Sequence, residues 1–252
     1  NGINNVAWQW KANGGTTASN SNGSITSTVQ ANTTAGFSIV TYTGTGSNAT
    51  IGHGLGAAPQ TVLIKKYGSG GSARDWIMYL EVLGNTKALM LNNSDSEYTL
   101  TDAFNSTSPT STTFAIGTNG RCNDSGQGYV AYCFAEKQVY SRFGRYEGNG
   151  NANGTFVYTG FKPAFILLKR SSSSQAWCMF DNKRPGFNET NLSLTANESG
   201  AEETRKVDIL SNGFKLRGNN TATNSTGPST YVFWAFADSP FISSTGIPTT
   251  AF

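Results

Sequence analysis

Tyr129-Val-Ala-Tyr-Cys-Phe-Ala-Glu136 and Tyr231-Val-Phe-Trp-Ala-Phe-Ala-Asp238 decide the fold, because they are one strand-like motif written twice, 102 residues apart (129 to 231). Working outward, nearly the same offset recurs. Tyr42-Thr-Gly-Thr-Gly46 answers Tyr146-Glu-Gly-Asn-Gly150, and Val62-Leu-Ile-Lys-Lys66 answers Ile166-Leu-Leu-Lys-Arg170. Trp76-Ile-Met-Tyr79 answers Trp177-Cys-Met-Phe180 after a loop of different length, and Leu89-Met-Leu91 answers Leu192-Ser-Leu194. Offsets that drift only in loops are the signature of an internal repeat. The first repeat spans residues 36–138 and the second 139–241.

Within each repeat, short runs of β-formers alternate with Gly/Asn/Ser turns: Ser38–Tyr42, Gln60–Lys66, Trp76–Leu80, Ala88–Asn92, Thr112–Ile116 and Gly128–Ala135. A strand roughly every ten residues predicts an antiparallel sandwich. The expected architecture is all-β: a tandem duplication of a jelly-roll or lectin-like sandwich, giving two similar subdomains. The unbroken apolar run Phe165-Ile-Leu-Leu168 predicts a strand covered on both faces. Pro59 and Pro163 mark the starts of strands, with Gly56 and Gly160 supplying a positive φ just before them. The Gly-rich stretch 144–154 reads as turns. Residues 201–210, carrying Glu202, Glu203, Arg205 and Lys206, are the one place a short helix is expected. Residues 1–35 read as an N-terminal arm or the end of an upstream domain, with strand-like Asn5–Trp10 and Ser24–Val29. Residues 242–252 read as an extended C-terminal tail.

Composition narrows the function classes. Only 13% of residues are charged and the net charge is +3, which gives no basic footprint for nucleic acid. No apolar run approaches the ~20 residues of a membrane span. Cys122, Cys133 and Cys178 are odd in number and lack metal-ligand spacing, and Cys133 and Cys178 sit inside apolar runs, so they read as buried free thiols. No cofactor or metal motif is present.

Several stretches resemble a family of uncharacterised marine-phage structural proteins, described as tail-fibre-like or virion structural. They are Trp10-Lys-Ala-Asn-Gly-Gly15, Asn22-Gly-Ser-Ile-Thr-Ser-Thr-Val29, Ala35-Gly-Phe-Ser-Ile-Val-Thr-Tyr-Thr-Gly44, Gly52-His-Gly-Leu-Gly-Ala-Ala-Pro59, Tyr129–Glu136 and Tyr158-Thr-Gly-Phe-Lys-Pro-Ala-Phe165. The resemblance spans essentially the whole chain. It implies a location on the virion exterior, with other virion proteins and further copies of the chain as partners.

His53 is the single histidine and has no counterpart in the second repeat, so it reads as a turn or packing residue; no nucleophile motif accompanies it. The carboxylates lie in polar loops and read as solvated charge, and a non-enzymatic role is expected. The candidate ligand-binding residues are Trp76 with Arg74 and Asp75, and Trp177 with Asp181 and Arg184. A Trp face flanked by Asp and Arg suits a sugar ring, whereas two tryptophans at equivalent positions also suit core anchors. The expected function is an exterior appendage module presenting loops to host surface glycans. The alternatives are a purely structural decoration or fibre-stem protein and a glycan-cleaving enzyme.

Overall fold

The computed structural model describes residues 6–238, except 69, 71, 185–187 and 189 and the side chains of 190 and 191. The tail at 242–252 lies outside the described residues. The chain is nearly all β. In order it forms β1 (Ala18–Asn20), β2 (Ser27–Asn32), β3 (Phe37–Thr43), β4 (Ala49–Gly52), β5 (Thr61–Lys66), β6 (Ile77–Leu80), β7 (Lys87–Met90), β8 (Tyr98–Thr99), β9 (Thr113–Ile116) and β10 (Gly128–Phe134). It continues with β11 (Ser141–Glu147), β12 (Phe156–Tyr158), β13 (Phe165–Arg170), β14 (Cys178–Asp181), β15 (Thr190–Thr195), β16 (Glu203–Leu210), β17 (Gly213–Leu216) and β18 (Thr230–Phe236). Two single turns, a 3-10 helix at Glu81–Leu83 and an α-turn at Gly120–Asn123, interrupt the strands.

The first sheet runs β1-β2-β3-β10-β5-β6-β7-β8, with β4 and β9 as a separate pair; the second runs β11-β18-β13-β14-β15-β16-β17-β12. From β3 onward the two orders correspond strand for strand, and every strand pair is antiparallel. The motif Tyr129–Phe134 is the centre of its sheet, between β3 and β5, and Tyr231–Phe236 sits between β11 and β13.

Three apolar clusters hold the strands. One lies inside the first sheet, where Val40, Val62, Ile64, Ile77 and Ala131 meet Ile51, Phe114 and Ile116 of the β4–β9 pair. A second, with Ile166, Leu168, Phe180, Val207, Ile209 and Phe214, lies inside the second sheet. The third joins the two: Leu63, Met78, Leu80, Leu89 and Phe134 from one sheet pack against Phe165, Leu167, Trp177, Val232, Trp234 and Phe236 from the other. Alternation explains the division. In β13, Ile166 and Leu168 face the second cluster and Phe165 and Leu167 the third, so the unbroken apolar run is covered on both faces, as expected. Each such side chain, fully buried, contributes roughly 1.5–3 kcal/mol.

Paired tyrosines and asparagines pin the loop ends in both halves. Tyr42 stacks on Tyr129 at 5.3 Å and Tyr146 on Tyr231 at 5.0 Å. Their hydroxyls donate to the loop carbonyls of Cys122, Gly120, Thr223 and Thr221. Gly56 and Gly160 adopt φ of 70° and 85°, and Pro59 and Pro163 stand two residues before β5 and β13.

Four sequence expectations are corrected. Residues 203–210 form β16, not a helix: Arg205, Val207 and Ile209 point inward at a period of two, and burying them outweighs the helical propensity of the flanking Glu and Lys. Residues 6–13 form no strand; instead Trp8 and Trp10 pack against Phe165, and Trp10 also against Phe236. Within the stretch assigned to an arm, β2 begins at Ser27 and hydrogen-bonds along β3, so residues 18–32 extend the first sheet. Finally, Gly144 lies inside β11, where a Cβ would come within 2.6 Å of the Phe233 ring.

Candidate functional site

The structure separates the two sequence-derived constellations. Trp177 is 1% exposed in the cluster between the sheets, and its Nε1 donates to the Met90 carbonyl at 2.9 Å. No ring face is left for a sugar, so Trp177 is a core anchor. Asp181 is likewise buried. Its Oδ1 accepts the backbone N–H groups of Lys183 and Arg184, and its Oδ2 accepts Arg184 Nε at 2.7 Å. Burial pushes the Asp181 carboxyl up, but the hydrogen bonds from Arg184 and the two amides outweigh it and hold the pKa below the usual value. Arg184 also pairs with Glu202, so the polar groups of Asp181 and Arg184 are spent on holding a turn, although Asp181 also lines a hollow of about 220 Å³ beside Trp8 and Trp10.

Trp76 is half-buried at the rim of the same cluster, stacked on Tyr132 at 6.2 Å, with Lys65 Nζ 5.6 Å from its ring centroid. Asp75 and Arg74 belong to two ion clusters beside it. Asp75 accepts Asn92 Nδ2 and pairs with Arg121 at 3.1 Å. Asp124 pairs with Lys66 at 3.0 Å and Arg74 at 3.3 Å. The Asn92 hydrogen bond holds Asp75, and the Lys66 hydrogen bond holds Asp124, below the usual carboxylate value. These groups are occupied by one another, and Lys65 and Tyr132 already rest against the Trp76 ring.

A groove that neither constellation touches lies between the two edges of the second sheet. This groove of about 370 Å³ runs between β11 and β12, lined by Arg142, Gly144, Arg145, Phe156, Tyr158 and Val82 among others. Phe156 and Tyr158 are 43% and 64% exposed, the alternation in β12 sending Val157 inward and both rings outward. Arg145 and Val82 also line an adjoining hollow of about 250 Å³ that reaches Lys87, Glu97, Ser172 and Thr230.

The first half closes the equivalent gap. Ile51 faces Phe114 and Val157 faces Phe214, so Phe156 stands where Thr50 does and Tyr158 where Gly52 does. There the outer side is covered by the β1–β2 segment: Ser24 N–H donates to Thr50 Oγ1 and Ser27 Oγ donates to the Gly52 carbonyl. A Cβ on Gly52 would lie 2.0 Å from Asn20 Oδ1, so an aromatic side chain there is incompatible with that covering segment. Among the described residues no strand pairs with the outer edge of β11. The Phe143 N–H on that edge points to Glu136 Oε1 at 2.8 Å. Sequence reasoning missed this groove. Its available signal was the pair of aromatics, Phe156 and Tyr158, at the positions in the second half that answer to Thr50 and Gly52.

A family model described as "Domain of unknown function (DUF7483)" matches residues 1–240. The chain belongs to this family. The DUF7483 match takes in both halves and the N-terminal strands together. No curated protein and no solved structure matches the chain.

The thiols and the imidazole of this DUF7483 domain are buried. All three thiols are free and buried, and burial pushes each pKa up to about 12, far from the thiolate needed for reactivity. Among the described residues no group of three His, Cys, Asp or Glu side chains could hold a metal ion, and no helix is long and apolar enough to cross a membrane. His53 is fully buried; its Nδ1 accepts the Leu55 N–H, which leaves the proton on Nε2 to donate to the Thr110 carbonyl at 3.2 Å. Burial lowers its pKa below 6.5, with the Thr110 bond opposing more weakly. The unfolded chain therefore binds more protons than the native one between the lowered value and 6.5. Stability is complete above that window and is lost as pH falls through it. Because His53 is the only imidazole, an NMR titration should show one Cε1–H signal titrating below 6.5. The urea midpoint should fall over the same range. A midpoint at or above 6.5 would contradict the buried neutral assignment.

Proposed function

We propose that the chain is a non-catalytic module of the virion exterior, a tandem duplication of one antiparallel sandwich-like unit, that binds surface glycans through the β11–β12 groove. One observation carries the binding reading: the second half presents two exposed aromatics beside an arginine in the gap that the first half fills with its own strands. Such a groove offers flat apolar faces for sugar rings and directed donors for their hydroxyls. The duplication is supported by the recurring sequence offsets and the matching strand orders. The virion location, and other virion proteins and further copies as partners, rest on the sequence resemblance. Attachment strength would then come from many copies acting together.

The test is a glycan array probed with the whole chain and with Tyr158→Ala. The wild-type chain should retain a defined set of glycans. The variant should bind them at least about tenfold more weakly, a loss of about 1.4 kcal/mol, with an unchanged unfolding midpoint. An array with no bound glycan, or equal binding by the variant, overturns this reading. A second reading, a purely structural assembly role, is favoured by the outer edge of β11 from Gly144 to Glu147, which no described strand pairs, since open edges pair readily with other chains. It predicts oligomers growing with concentration in sedimentation, without glycan retention.

A further inference from the structure

We infer that the groove selects acidic glycans, with Arg145 as the residue that recognises the carboxylate or sulfate group. The inference rests on the glycan-binding reading above and goes further by naming the ligand class. Three cationic side chains line the groove and its extension, and two are already matched: Arg142 pairs with Glu136 at 3.1 Å, and Lys87 pairs with Glu97. Arg145 is exposed and pairs with no carboxylate among the described residues. It is also one of the two residues, with Val82, that line both hollows, so a ligand extending from one to the other passes its guanidinium.

The chemistry on either side of Arg145 suits a chain of sugars better than a bare anion. On one side stand the exposed rings of Phe156 and Tyr158, which take the apolar face of a pyranose. On the other, Ser172 and Thr230 supply polar groups. A guanidinium presents a planar fork that a carboxylate or sulfate accepts at two oxygens, which a neutral hydroxyl does not reproduce. Arg145 extends from a strand whose neighbour Phe143 is anchored in the cluster between the sheets, so its backbone position is fixed before a ligand arrives.

The experiment compares binding of the whole chain to oligogalacturonides, dextran sulfate, unmodified dextran and inorganic polyphosphate, by calorimetry at low and physiological salt. The variants are Arg145→Gln, Arg145→Lys and the pair Phe156→Ala/Tyr158→Ala. The acidic oligosaccharides should bind more tightly than dextran and lose at least tenfold in Arg145→Gln. Arg145→Lys should fall in between, because it keeps the charge and loses the fork. The Phe156→Ala/Tyr158→Ala variant should lose the sugars while leaving any polyphosphate binding unchanged. Dextran binding as tightly as the acidic probes, with Arg145→Gln unaffected, overturns the acidic preference and leaves glycan binding standing. Polyphosphate competing equally, with no dependence on the aromatic pair, identifies plain charge attraction and overturns it too. Absence of binding to every saccharide removes this inference and the glycan reading together.

Discussion

Replacing Trp177 with alanine should lower the unfolding free energy by about 3–5 kcal/mol, the usual cost of emptying a large aromatic site in a packed core. The indole is 1% exposed and lies where the outer faces of the two sheets meet, against residues of both. Its deletion removes contacts from both halves at once and orphans the Met90 carbonyl that Nε1 satisfies. Trp177→Phe separates the two contributions. It keeps most of the apolar volume but leaves the carbonyl without its donor, an unsatisfied buried group worth about 1–3 kcal/mol. Urea unfolding of the three proteins measures both steps. Trp76→Ala provides the contrast, because that half-buried ring sits at the rim and fills less of the cluster. If Trp177→Ala costs no more than Trp76→Ala, the two sheets are not held together by this cluster.

Asn123→Ala and Asn224→Ala should each destabilise the fold by about 1–3 kcal/mol, since each removes a buried amide that ties loop backbone groups together, although most of those groups lie on exposed or half-buried residues that water can reach. Asn123 is fully buried; its Oδ1 accepts the Thr45 N–H at 2.7 Å, and its Nδ2 donates to the carbonyls of Ser47 and Gly117. Asn224 makes the matching set, accepting from the Asn149 N–H and donating to the carbonyls of Asn151 and Gly218. Each amide thus closes the loop that follows the first strand of its half against the loop that precedes the last. An aspartate is the sharper probe, because it keeps the shape and accepts but cannot donate. Asn123→Asp and Asn224→Asp should therefore be nearly as damaging as alanine near neutral pH. Thermal or urea unfolding reads the outcome, and a loss below about 1 kcal/mol in either position would show that the loop carbonyls find other donors.

Much of the architecture was legible in the residue order, for local physical reasons. β-branched and aromatic runs bounded by glycine and asparagine define most of the strands. The Gly-x-x-Pro elements fix the turns at Gly56 and Gly160, where φ is positive. The unbroken run Phe165–Leu168 announced a strand with two covered faces. Cys122, Cys133 and Cys178 are buried free thiols, as the apolar runs around Cys133 and Cys178 indicated for those two. Burial also overrode composition in one place: Glu203–Leu210 carries helix-forming side chains, yet Arg205, Val207 and Ile209 are pulled inward at the spacing of a strand.

What the sequence by itself determined is the strand content and the recurrence of short motifs about 102 residues apart, because both depend on short-range pattern and on self-comparison. Only the tertiary structure decided what each repeated residue does. Trp76 and Trp177 occupy the same place in the repeat, yet one is at a rim and the other is sealed, because exposure depends on what covers the outer face of a sheet and not on the strand itself. The groove arises the same way. β1 and β2 lie against β3 and β4, no described strand does so against β11 and β12, and Thr50 and Gly52 give way to Phe156 and Tyr158. A gap between two edges is a long-range property, set by strands far apart in the chain coming together or failing to. That is why no stretch of residues announced it alone, and the one sign in the sequence was the contrast of Phe156 and Tyr158 with Thr50 and Gly52.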